Sequence, residues 1–255
     1  MYISQQPIRR PAWPIQFIDL FLIQLSNWRW SWRAMLVTGI FTPIVGIIAL
    51  GNFVDRGRVS VAYVLVGSMV LSLMFENQNK VAQNFSYMKA MGTLDYFGTL
   101  PVRRYSVILA TVSAFFVLSV PALAATLIFG SAFLSIELSL NAAALVVVPL
   151  CVLPLAGFGA LIGVFARTQE ETSSISLFVT IVLLFLGPVY VPPEQLPDWV
   201  VALSYLSPAT YAASALRQCV IGPIDSRLWL DISALSAFSF AAIAIAGRKM
   251  RWRTS

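Results

Sequence analysis

Long apolar runs alternate with short polar segments along the 255 residues of this chain. Six of the runs read as membrane-crossing helices: residues 34–50, 59–75, 105–129, 142–166, 174–189 and 231–247. About 20 helical residues, rising about 1.5 Å each, cross about 30 Å of hydrocarbon, so most of these lengths fit. The fifth run is short and stops at Gly187 and Pro188. It therefore needs local thinning, a tilted neighbour or a broken continuation. The runs are continuous rather than alternating, which argues against a β-barrel.

Residues 15–33 follow a different pattern. On a helical period, Phe17, Ile18, Phe21, Leu25, Trp28 and Trp32 share one face, with Gln16, Asp19, Ser26, Asn27 and Ser31 on the other. That spacing predicts a helix lying along the cytoplasmic interface, with Trp28, Trp30, Trp32, Arg29 and Arg33 near the headgroups. The alternative is an extension of the next span. Residues 189–222 are too apolar for a solvent loop, yet Pro192, Pro193, Pro197 and Pro208 interrupt them. Two short external or re-entrant helices are expected, at 197–203 and 208–220, each opened by a proline. They serve as a membrane-surface cap, as part of a substrate path, or as both. In the fourth run, Pro149, Pro154, Gly157, Gly159 and Gly163 predict close helix packing or a bending surface.

Composition turns the pattern into a class. The chain is 58% hydrophobic and 11% charged, against about a quarter charged in soluble domains. The expected fold is an all-α polytopic membrane protein: residues 1–33 form a cytoplasmic N-terminus and interface helix, and 34–255 form one membrane domain. In this arrangement thirteen of the 17 basic residues, including Lys80, Lys89, Arg103 and Arg104, fall on one side. Only Arg56, Arg58, Arg217 and Arg227 fall on the other, which places both termini in the cytoplasm. A multi-pass protein of a cell membrane, bacterial and cytoplasmic, is the expected location. The basic residues flank spans rather than forming a tract, so the net charge of +6 reports topology and not nucleic acid. Histidine is absent, and Cys151 and Cys219 read as unpaired packing residues with no metal site.

One polar stretch stands out, "MGTLDYFGTLPVRRYSVILA" at 91–110. Leu94, Phe97, Leu100 and Pro101 offer apolar contact there, while Asp95, Arg103 and Arg104 can fix orientation through charged hydrogen bonds. A passive loop obeying the positive-inside rule is the alternative. "TLDYFGTLPVRR" after the second span, "PPEQLPDWVVALSYLSPATYAASALR" before the last, the amphipathic first helix and six spans together resemble the ABC-2-type exporter permease family, including its drug-resistance and lipo-oligosaccharide branches. The resemblance runs from Ile15 onward.

The resemblance implies a machine of two membrane subunits, expected to be two copies of this chain, working with two cytoplasmic ABC ATPase subunits that carry the ATP and magnesium. This chain has no G-x-x-x-x-G-K-[ST] loop and no cofactor of its own. It also implies an ATPase-coupling segment made of Thr93, Leu94, Asp95, Tyr96, Phe97, Leu100, Pro101, Val102, Arg103 and Arg104. The acid usual before that motif is replaced by Met91 and Gly92. Arg167, Glu170 and Glu171 form a second cytoplasmic contact or a solvated turn. The expected cargo is a hydrophobic drug, a lipid or another amphiphile, with Glu76, Phe41, Phe178, Phe185 and Tyr190 as path candidates; the alternative for the aromatics is a packing or interface role, and for Glu76, near the end of its span, hydration or pairing with Lys80. A membrane scaffold and a secondary transporter are the competing functions; the second lacks an evident inverted repeat and buried ion ligands.

Overall fold

The computed structural model describes residues 12–26, 33, 35, 37–52 and 58–250, with backbone alone at 58–60. Among these residues every regular element is a helix. Helix α1 is Trp13–Ser26, and α2 covers Val37–Gly51, opening on a π-helical turn. Helix α3 runs without a break through Arg58–Leu73, a π-helical Met74–Asn79 and Lys80–Ala90. A seven-residue helix α4 (Thr93–Thr99) follows, then α5 (Arg104–Leu134), α6 (Ala144–Phe165) and α7 (Gln169–Phe185). Two short helices, α8 (Asp198–Ser204) and α9 (Pro208–Val220), precede α10 (Arg227–Lys249).

The protein is a multi-pass membrane protein with several apolar spans. Four helices among the described residues are long and apolar enough to cross a bilayer: α3, α5, α6 and α10. The runs expected at 34–50 and 174–189 form shorter helices, α2 and the 17-residue α7. The second run does not end near Phe75 in a cytoplasmic loop. Its helix continues to Ala90, which puts Lys80 inside the bundle rather than among the topology-setting charges. The paired short helices before α10 do form where the prolines pointed, α9 at 208–220 as expected and α8 one residue later than expected at both ends.

Helices α3 and α6 sit at the centre because their backbones touch. A Cβ on Gly159 would overlap the carbonyl oxygen of Gln78, and one on Gly163 would reach within 2.5 Å of that of Ala82. The small-xxx-small pair therefore seats α6 on the π-helical part of α3, and Gly157 seats α10 against α6 through Ala242. Both prolines of α6 lie within a continuous helix, so close packing is the reading that the geometry supports.

Helix α1 packs along α5, with Phe17 and Phe21 of the expected apolar face against the core and Asp19 and Ser26 of the expected polar face exposed. Its buried residues are Gln16, Leu20 and Gln24, whereas Ile15, Ile18 and Leu22 are exposed. Lipid-like surroundings reverse the usual rule: apolar side chains cost nothing facing hydrocarbon, while amides need partners inside. Trp28, Trp30, Trp32 and Arg29 lie outside the described residues, and Arg33 is helical and exposed.

Candidate functional site

Two sites emerge, one at the end of the bundle that carries α4 and one in its interior. Helix α4 starts at Gly92, whose φ of 69° is the left-handed conformation that reverses the chain out of α3. Its next turn plants Leu94 and Phe97 in the core at 4% and 5% exposure. Those two residues, expected to offer apolar contact, are buried against their own chain. The bare face is made instead by Tyr96, 61% exposed, with Met91 and Tyr87 beside it and Leu100 at its end.

The segment is held from a distance. Gln16 of α1 donates from Nε2 to the carbonyl oxygen of Pro101 at 3.2 Å and accepts at Oε1 from the Arg103 amide at 3.4 Å. One amide thus clamps the hinge where α4 turns into α5. Pro101 and Val102 are half-buried, Arg103 is exposed, and Asp95, Thr93 and Arg104 are half-buried. The Lys89 ammonium, just before α4, donates to the carbonyl oxygens of Val164 and Ala166 at 3.4 and 2.8 Å. It caps the C-terminus of α6, where partial negative charge collects, and ties α4's approach to the next turn.

That next turn holds the second expected contact. The hydroxyl of Thr168 accepts from the Glu171 amide at 3.1 Å, and the Glu171 carboxylate accepts from the Arg167 amide at 2.7 Å. This reciprocal pair starts α7 in the manner of a capping box. Glu171 therefore has a structural task, while Arg167 and Glu170 are exposed.

The interior site was underrated by sequence reasoning. The π-helical turn and its sequel spell Glu76-Asn77-Gln78-Asn79-Lys80, and the first four are buried. The Lys80 ammonium donates to both Glu76 oxygens at 2.6 and 2.7 Å, and the Thr38 hydroxyl adds a third donor at 3.1 Å. Gly39 leaves room for this carboxylate: a Cβ there would lie 2.5 Å from Glu76 Oε1, so a side chain at that position would have to displace it. Ser176 and Thr180 of α7 donate to Asn79 Oδ1, and Gln78 donates to Thr180 at 3.2 Å. A cleft of about 340 Å³ opens onto this belt between Thr38 of α2, Asn79, Lys80 and Gln83 of α3, and Ser173, Ser174 and Leu177 of α7. The legible signal was the density of amides, ENQNK followed by QN at 83–84, on a helix otherwise apolar.

The aromatic path candidates do not meet Glu76 in one cavity. Phe41, Phe178 and Phe185 point away from the protomer, with Phe178 67% exposed, whereas Tyr190 packs against Gly67. Cys151 and Cys219 are buried free thiols, as expected. Among the described residues no cluster of three or more acidic, cysteine or histidine residues is suited to a metal.

Comparison with known proteins adds a lineage to this geometry. Residues 16–221 match the family described as ABC-2 type transporter. The chain is 27% identical over 239 residues to the daunorubicin resistance ABC transporter permease protein DrrB1 of Streptomyces coeruleorubidus, covering 91% of this chain and 77% of that relative. It is 35% identical over 83 residues to the inner membrane transport permease YadH of Escherichia coli K12, covering 32% of each chain.

Proposed function

We infer the role of this chain from its lineage together with α4: it belongs to the ABC-2 type transporter family and is a permease-type membrane transport protein. Family membership implies association with ABC ATPase subunits. The finer reading is a permease subunit of an ATP-driven exporter that moves a hydrophobic drug, a lipid or another amphiphile out across a bacterial cytoplasmic membrane. A daunorubicin-resistance permease among its relatives supports an amphiphilic cargo.

The observation that carries the reading is α4. A helix of seven residues, anchored by Leu94 and Phe97 and bare at Tyr96, is fixed between two long helices by Gln16. A push on its exposed face moves α3 and α5 together, because no slack chain separates them. Met91, Tyr96, Leu100 and Arg103 are thus proposed to meet the ATPase, while Thr93, Leu94, Asp95, Phe97, Pro101, Val102 and Arg104 set the segment's shape. The exposed Arg167 and Glu170 extend the same surface. Arg103, Arg104, Arg167, Arg248 and Lys249 crowd this end, against Arg217 and Arg227 at the other, so this end is assigned to the cytoplasm.

Six crossings are retained in this reading, with α2 and α7 as the two short ones beside α3. Their outward Phe41, Phe178 and Phe185 become the lining of a passage once a second copy of this chain faces them. The cleft at Asn79 and Lys80 opens between the same helices and supplies its polar wall. Closure of ATP-loaded partner subunits would then bias the packing between inward and outward states through α4. The test is purification in a native-like bilayer with mass spectrometric identification of what accompanies the chain. A P-loop ATPase and a bound amphiphile are expected; a lone chain that performs ion-driven transport would overturn the reading.

A further inference from the structure

A second pocket lies at the end of the bundle opposite α4. It has a volume of about 280 Å³ and is lined by Tyr63 of α3, Tyr205 after α8, Thr210, Ser214 and Arg217 of α9, and Arg227 of α10. The Arg217 guanidinium lies flat over the Tyr63 ring, its Cζ 3.7 Å from the ring centroid. A cation–π contact of this kind fixes the guanidinium plane and leaves its N–H edge free to donate. Yet Arg217 Nη1 is buried without a hydrogen-bond partner, and Thr210 Oγ1 is buried in the same condition.

Neither nearby carboxylate lies within ion-pair range of the guanidinium. Asp225, which also lines the pocket, accepts at Oδ1 from the amide and hydroxyl of Ser226. Asp231 accepts at Oδ2 from Gln218, and its Oδ1 is buried without a partner. The ion pair found among the described residues is Lys80 with Glu76, and neither Arg217 nor Arg227 has a carboxylate within that range. A buried donor without an acceptor is expensive, and a guanidinium held in place with its Nη1 unsatisfied can still take up an anionic acceptor.

We propose that this pocket binds a phosphate group, with Arg217 and Arg227 as its cationic donors and the Thr210 hydroxyl as a neutral one. Phosphate matches on three counts: it is anionic, it offers several acceptor oxygens, and it suits the fork of arginine better than a point charge does. The volume exceeds what phosphate alone requires, so the group arrives as part of a headgroup or with water around it. Helix α10 begins at Arg227, at the pocket's edge. A helix that crosses a bilayer ends at headgroup height, which places the pocket where a phospholipid carries its phosphate.

The experiment uses the purified full chain in dodecyl maltoside micelles and reads thermal stability. Dioleoylphosphatidylglycerol is compared with dioleoylglycerol, which has the same tails and no phosphate, and with inorganic phosphate alone. The phospholipid is expected to raise the melting temperature and dioleoylglycerol is not. Arg217→Gln is expected to weaken the apparent affinity about tenfold or more. Arg248→Gln, at the far end of α10, is expected to keep it and so separates the pocket from general attraction to an anionic lipid. Stabilisation by phospholipid alone assigns a lipid source, and equal stabilisation by inorganic phosphate assigns a soluble one; both support the site. If Arg217→Gln does not fold, the exposed Arg227→Gln carries the same comparison. Equal stabilisation by dioleoylglycerol, or an undiminished response in the arginine variants, would overturn the proposal.

Discussion

Lys80→Met isolates the strongest electrostatic claim made for the bundle interior. Glu76 is 1% exposed and takes both of its best donors from the Lys80 ammonium, leaving the Thr38 hydroxyl at 3.1 Å as the third. Removing the lysine leaves a carboxylate with one neutral donor in a site closed by Gly39. Breaking a buried ion pair from one side costs about 3–5 kcal/mol, because the remaining charge is uncompensated. For a chain of this size that corresponds to a fall of roughly 6–20 °C in melting temperature. Replacing both, as Glu76→Met with Lys80→Met, removes the pair and its desolvation together, and is expected to lie within about 1–2 kcal/mol of the parent. The assay is thermal unfolding in micelles for the two single variants and the double variant, read as a thermodynamic cycle. A double variant that falls as far as the sum of the two singles would refute the pair, since the residues would then act independently.

Three further outcomes follow from the packing. Gly159→Leu places a side chain on the Gln78 carbonyl and is expected to prevent α6 from seating on α3, seen as loss of a monodisperse, thermally cooperative protein, whereas Gly92→Ala should cost only about 1 kcal/mol of left-handed strain. Leu94→Ala removes a buried anchor and is expected to destabilise by about 2–4 kcal/mol, while Tyr96→Ser on the bare face should leave the melting temperature within a degree or so. Gln16→Ala loses two hydrogen bonds across the α4–α5 hinge; about 1–2 kcal/mol of stability and faster amide exchange around Val102 are the expected readouts.

Much of the architecture could be read from the chain because the bilayer imposes a crude code. Apolar runs long enough to span announce α5, α6 and α10, and prolines announce the starts of α8 and α9. What the code hides is the polar interior. Glu76 and Lys80 looked like the edge of a span because charge normally marks an interface, yet a π-helical turn whose amides find hydroxyl partners on α7 lets the helix carry them inside. The apolar period of α1 likewise hid the role of its amides: Gln16 is buried and has a task at Pro101, while Ile18 faces outward. The segment at 91–104 was legible as a unit, but its two faces were not. Only the packing shows that Leu94 and Phe97 turn inward and that Tyr96 stays exposed.

The central claim is that the exposed face of α4 receives the stroke of an ATPase. It is tested most directly by substrate-stimulated ATP hydrolysis of the permease–ATPase complex in nanodiscs, comparing the parent with Tyr96→Ser combined with Arg103→Ala. Because both residues are exposed and neither anchors the fold, the account predicts a normally stable permease whose complex loses at least about tenfold in coupled turnover, the equivalent of about 1.4 kcal/mol. Normal assembly with undiminished substrate stimulation in that double variant would contradict it.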